Sequence, residues 1–113
     1  MYQFSWDSKA FNGYFGSAHA LEIPFTFNTL DAPGTDLFLG KGPRPYDLAE
    51  TMHNAWIAFI REGDPSTPDL GLWPPYEPES RFVMNFAERT GLLKDPNSEE
   101  RLVWDHAQRD PAQ

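Results

Sequence analysis

The 113-residue sequence contains no cysteine. Disulfides, thiolate nucleophiles and cysteine-ligated zinc are therefore excluded from the chemistry of these residues. No apolar run approaches the roughly 20 residues that a membrane-spanning helix needs. No signal-peptide pattern is visible, because Met1-Tyr2-Gln3-Phe4 leads straight into mixed polar sequence. These absences leave localisation open, with a lean toward the cytoplasm. Positive charge is scarce, nine Lys and Arg against 17 Asp and Glu for a net charge of −8, and the cations are spread along the chain without a run. Phosphate backbones and anionic lipid both reward concentrated cations, so neither nucleic acid nor membrane is expected as a partner. There is no Asn-x-Ser/Thr acceptor, no Gly-x-Ser-x-Gly nucleophile turn, no phosphate-cradling glycine loop and no His-Glu-x-x-His. No cofactor is implied.

Aromatic residues are abundant: 4 Trp, 4 Tyr and 9 Phe, which excludes disorder as a description of the whole chain. Eleven Pro and eight Gly supply more loop than so small a core normally carries, so the chain reads as a piece of something larger. Residues 1–6 predict a short strand. Residues 7–16 predict a loop turning at Asn12-Gly13. His19–Phe27 predicts a helical turn before Pro24 and an extended piece after it. Residues 28–46 predict a surface loop. The clearest helix runs over 48–62, with Asp47 and Glu50 at capping-box spacing, an apolar stripe through Leu48, Met52, Ala55, Trp56 and Phe59, and Gly63 as the terminator. Ile57 and Ile60 widen that stripe, which predicts burial on more than one side. Five prolines make 64–78 a loop in which Trp73-Pro74-Pro75-Tyr76 must find a packing partner. Arg81–Phe86 alternates Phe82, Met84 and Phe86 and predicts a second strand with one aromatic face. Asp95-Pro96 predicts the cap and first turn of a last helix whose apolar side is Leu102, Val103 and Trp104, fraying from Gln108.

Three histidines are candidates for chemistry. His106 near a helix C-terminus reads as a surface residue, and His53 on the flank of the long helix as a partly exposed helix residue. His19 differs, because it follows the small residues Gly16-Ser17-Ala18 and precedes the firm run Ala20-Leu21-Glu22-Ile23-Pro24-Phe25, as a loop histidine presented by a scaffold would. Glu22, three residues after His19, would share its side of a helical turn, which leaves it either an acid partner of that histidine or a structural, hydrogen-bonded acid. A metal site on His19 and Glu22 is disfavoured, because no third ligand, His53 included, has convincing spacing.

The wording around His19 carries more. Phe11-Asn12-Gly13 followed by Gly16-Ser17-Ala18-His19-Ala20-Leu21-Glu22-Ile23-Pro24-Phe25-Thr26-Phe27 resembles the catalytic-histidine segment of the type-B carboxylesterases, the family of para-nitrobenzyl esterases and cholinesterases. The resemblance continues in order through Tyr2–Trp6, the helix ending Gly63-Asp64-Pro65, Trp73-Pro74-Pro75-Tyr76, Arg81–Phe86 and the closing Asp95–Trp104. It implies an α/β fold in which residues 1–113 form a single C-terminal fragment at the edge of an α/β-hydrolase sheet, with about two short strands, one long helix and one or two shorter ones. It further implies ester hydrolysis through an acyl-serine intermediate in the parent enzyme, with His19 matching the general base of the triad. The nucleophile, the triad acid and the oxyanion-hole glycines would lie outside this chain, so the isolated chain is expected to be inactive. Its expected partners are the remainder of the esterase chain, a small-molecule ester in the parent, and other copies of itself. The alternative is a non-catalytic, cholinesterase-like binding or interaction domain.

Overall fold

The computed structural model describes residues 1–109. Strand β1 (Tyr2–Phe4) pairs in parallel with β2 (Phe82–Phe86), Tyr2 opposite Met84 and Phe4 opposite Phe86. Strand β3 (Gly91–Lys94) returns antiparallel to β2, giving the sheet order β1-β2-β3. The two strands expected from sequence are present, and β3 is an addition. Its four residues are half-buried or exposed, and it is a strand because a short loop, with the Thr90 hydroxyl donating to the Ala87 carbonyl at 3.1 Å, folds it back on β2. On β2, Met84 and Phe86 are fully buried while Phe82 is only half-buried.

The turn at Asn12-Gly13 forms as expected, with positive φ at Phe11, Asn12 and Gly13. Helix α1 (Ile23–Thr26) corrects the reading around Pro24. The helical turn does not stop at the proline but contains it in its first turn, where a missing N–H costs no hydrogen bond. A second departure lies within 28–46, where a one-turn helix α2 (Asp36–Leu39) drives Leu39 into the core.

Helix α3 (Tyr46–Glu62) begins two residues earlier than its pattern suggested, with Pro45 at the N-cap and no side-chain cap, so the Asp47/Glu50 capping box does not form. Proline's fixed φ starts the helix without a hydroxyl or carboxylate acceptor. Gly63 ends it in the left-handed conformation (φ 76°), donating to the Phe59 carbonyl at 2.8 Å, as expected. Only one face of α3 is covered by these residues: Leu48, Ala49, Met52 and Ala55 are buried, whereas Trp56, Phe59 and Ile60 are exposed. Trp73 does find its partners, lying edge-on to Tyr2 and Phe86 at 6.2 and 5.8 Å between ring centroids.

Helix α4 (Ser98–Arg109) follows Asp95-Pro96, but Asp95 does not cap it. Its carboxylate instead accepts a forked pair of hydrogen bonds from Arg101, at 3.0 and 2.8 Å. Leu102, Val103 and Trp104 stay exposed, so the apolar side of α4 has no cover from the other described residues. Gln108 and Arg109 remain helical, and the remainder of the expected fraying falls at 110–113, outside the described residues.

Candidate active site

His19 sits at the second position of a tight turn closed by the Leu21 N–H donating to the Ala18 carbonyl at 3.2 Å. Ala20, third in that turn, takes φ 65°, which is the sign a type II turn demands at this position and is unfavourable for a residue bearing a Cβ. The turn is held from both sides. On the N-terminal side, the Ser17 hydroxyl lies 2.9 Å from the Trp6 carbonyl and 3.1 Å from the Asp7 carboxylate, and the Ser8 N–H donates to the Gly16 carbonyl at 3.2 Å. On the C-terminal side, Leu21 (1 % exposed) and Phe25 (0 %) are sunk in the core, Phe25 against the rings of Phe4 and Trp6 at 4.9 and 5.2 Å. Between two such anchors the imidazole of His19 stands on the exposed surface. Sequence reasoning singled out His19 but missed the Ser17–Asp7 brace, since two polar residues ten positions apart give no linear signal.

The other candidates go elsewhere. His53 is structural: its Nδ1 is 2.8 Å from the Thr26 carbonyl, which can only accept, so the ring N–H ties α3 to the end of α1. His106 lies exposed on α4. Glu22 is half-buried, but among the described residues its carboxylate accepts no hydrogen bond, which corrects the expectation of a hydrogen-bonded acid. It lies instead near the Tyr2 phenol. Burial raises the pKa of that phenol, the Glu22 charge raises it further, and a hydrogen bond with the Trp56 side chain opposes both. Among the described residues no three His, Asp or Glu side chains converge as a metal site would require.

The arrangement of one exposed histidine on a rigid turn can move a proton to and from a group brought against it, but contains no nucleophile of its own.

Comparison with known proteins adds the context. The model of the carboxylesterase family matches residues 1–104. The para-nitrobenzyl esterase of Bacillus subtilis is 35 % identical over 101 residues, covering 89 % of this chain and 20 % of its own length. The phenmedipham hydrolase of Pseudarthrobacter oxydans is 36 % identical over 85 residues, 74 % of this chain and 17 % of its own. A solved para-nitrobenzyl esterase superposes with a TM-score of 0.78 at 33 % identity, over 90 % of this chain and 21 % of that one. A Geobacillus stearothermophilus carboxylesterase superposes with a TM-score of 0.75 at 35 % identity, over 92 % and 21 %. The chain thus spans about a fifth of the length of the relatives it matches, and its sheet and helices are an α/β-hydrolase fragment.

Proposed function

The chain belongs to the carboxylesterase family, and from that membership we propose that it forms part of a serine hydrolase acting on carboxylic esters, to which it contributes His19 as the general base and acid. The observation that supports this reading is the coincidence of a family match over residues 1–104 with a histidine held on a braced, exposed turn. In the proposed reaction a serine from outside these residues attacks the ester carbonyl while its hydroxyl proton passes to a ring nitrogen of His19. The imidazolium then gives that proton to the departing alkoxide, leaving an acyl-serine. Water attacks the acyl group, His19 takes its proton and returns it to the serine, and the acid is released.

Two sets of anchors fix the backbone of the turn that carries the imidazole, which lowers the entropy cost of positioning the base. Exposure of His19 suits the same role, since the serine, the triad acid and the oxyanion donors must reach it from the remainder of the enzyme.

The test is the His19→Ala variant of a longer protein that carries these residues together with a serine nucleophile. kcat falls at least ~10³-fold, the scale of losing a triad member. The 113-residue chain incubated alone with para-nitrophenyl acetate gives no saturable turnover, because the base has nothing to activate. Near-normal turnover by His19→Ala in the longer protein overturns the assignment, and saturable turnover by the isolated chain that His19→Ala abolishes overturns the division of labour.

A further inference from the structure

The nine cations are scattered along the sequence, but the fold gathers three of them. Lys9, Lys41 and Arg44 line one cavity of about 310 Å³, walled on its apolar side by Trp6, Leu39 and Pro45. What brings them together is Gly40. It takes φ 80° and ψ −179°, a conformation essentially confined to glycine. A Cβ there would stand 2.4 Å from both the Ala10 nitrogen and the Lys9 carbonyl carbon. The segment carrying Lys41 and Arg44 is thus pressed against the backbone of Lys9 as closely as atoms allow, and the Lys9 N–H donates to the Leu39 carbonyl at 3.1 Å.

The charges are unequally committed. Arg44 is fixed, pairing through Nη2 with Asp36 and donating through Nη1 to the Gly40 carbonyl at 3.3 Å, which leaves further N–H donors of its planar fork unused. Lys9 and Lys41 have no ion-pair partner among the described residues. Glu88 on the cavity lining and Asp36 beside Arg44 are the opposing carboxylates. On the lining itself three cations face one carboxylate, Glu88, a local positive excess in a chain whose net charge is −8; Asp36 lies off the lining, and Asp47 lines the adjoining cavity that shares Trp6, Arg44, Pro45 and Glu88.

We propose that this cavity is a binding site for a small monocarboxylate with an apolar body. A fixed guanidinium suits the planar carboxylate, the two lysines supply unpaired charge, and the indole of Trp6 with Leu39 and Pro45 covers an aromatic or aliphatic remainder. The spherical, strongly hydrated phosphate gains nothing from that apolar wall. The site is independent of the esterase reading, because His19 does not line it.

Benzoate, benzyl alcohol and inorganic phosphate are titrated in turn into the 113-residue chain at low salt, with the Trp6 indole N–H followed by NMR. Benzoate shifts the Trp6 signal saturably with a millimolar Kd, benzyl alcohol at least tenfold more weakly, and phosphate more weakly than benzoate. Lys9 and Lys41 are exposed, so Lys41→Glu and Lys9→Glu leave the fold intact and each weakens benzoate by threefold or more. Arg61→Glu, which removes a cation on α3 away from the cavity, changes the benzoate Kd by less than twofold. Failure of benzoate to saturate by about 50 mM overturns the site. So does equal binding of benzyl alcohol, tighter binding of phosphate, or an equal response to Arg61→Glu.

Discussion

At the scale of single residues, an exposed histidine takes its geometry from neighbours that are not exposed. Leu21 lies two positions beyond His19 and is 1 % exposed, so it works as the nail that holds the turn to the core. Leu21→Ala removes buried methyl groups and leaves a cavity beneath the turn, which costs about 2–5 kcal/mol. Against a typical domain stability of about 5–15 kcal/mol that is a large fraction, and for a chain with so much uncovered apolar surface it is larger still. Urea unfolding followed by tryptophan fluorescence is expected to show a midpoint displaced far toward water, or no folded baseline. A midpoint unchanged within error would mean that the turn holds without its anchor. Ala20 contributes in the opposite sense, since its φ of 65° costs roughly 1–2 kcal/mol that the surrounding contacts must outweigh.

At the scale of elements, α4 is the one attached most by charge. Arg101 forks onto Asp95 and reaches Asp105 at 2.7 Å, while Arg81 stands 3.7 Å from Asp95 with its Nε otherwise unpaired. The hydrogen bonds from Arg101, helped by the charges of Arg101, Arg81 and Lys94, hold the Asp95 carboxyl below its ordinary value of 3.8 despite some desolvation. A depressed carboxyl pKa contributes stability that is present above the unfolded value and is lost as pH falls through the folded one. Asp95→Asn is therefore expected to lower Tm at pH 7 and to cost progressively less as the pH falls toward 2, as the wild-type carboxyl takes up its proton. An equal Tm deficit at both pH values would show that the attachment is not this ion pair.

The elements also differ in how plainly the sequence announced them. Helix α3 was legible in outline because sixteen residues of apolar periodicity ending in Gly63 leave few alternatives. Its start was not, because Pro45 opens it without the side-chain cap that pattern reading looks for. Strand β3 was illegible: Gly91-Leu92-Leu93-Lys94 is four residues long, and only pairing with β2 makes it extended. His19 was legible through the wording of its segment. The Ser17–Asp7 brace and the gathering of Lys9, Lys41 and Arg44 were not, since each exists only once the chain has folded back on itself.

At the scale of the whole molecule, the sheet and the long helix are both left open. Among the described residues, strand β1 pairs on one side only, and Trp56, Phe59 and Ile60 along α3 and Leu102, Val103 and Trp104 along α4 are exposed. Unpaired edges and apolar patches recruit other chains. The charge of −8 opposes this, but at about 0.15 M salt its reach shrinks to roughly 8 Å while hydrophobic contact persists. Sedimentation of the 113-residue chain at micromolar concentration is expected to show self-association. A monomer with a sharp cooperative melt and no dye-accessible apolar surface would mean that these residues form an autonomous unit.

The close approach at Gly40 bears on how such a chain can vary over generations. A position where any side chain meets backbone at 2.4 Å admits a single letter, whereas Lys41 beside it and Lys9 across from it are exposed and meet no such limit. A pooled substitution library scored for folding would thus keep glycine at 40 and accept many replacements at 9 and 41. The pocket's charge can drift from cationic to neutral or acidic, one codon at a time, without rebuilding the loop that makes it.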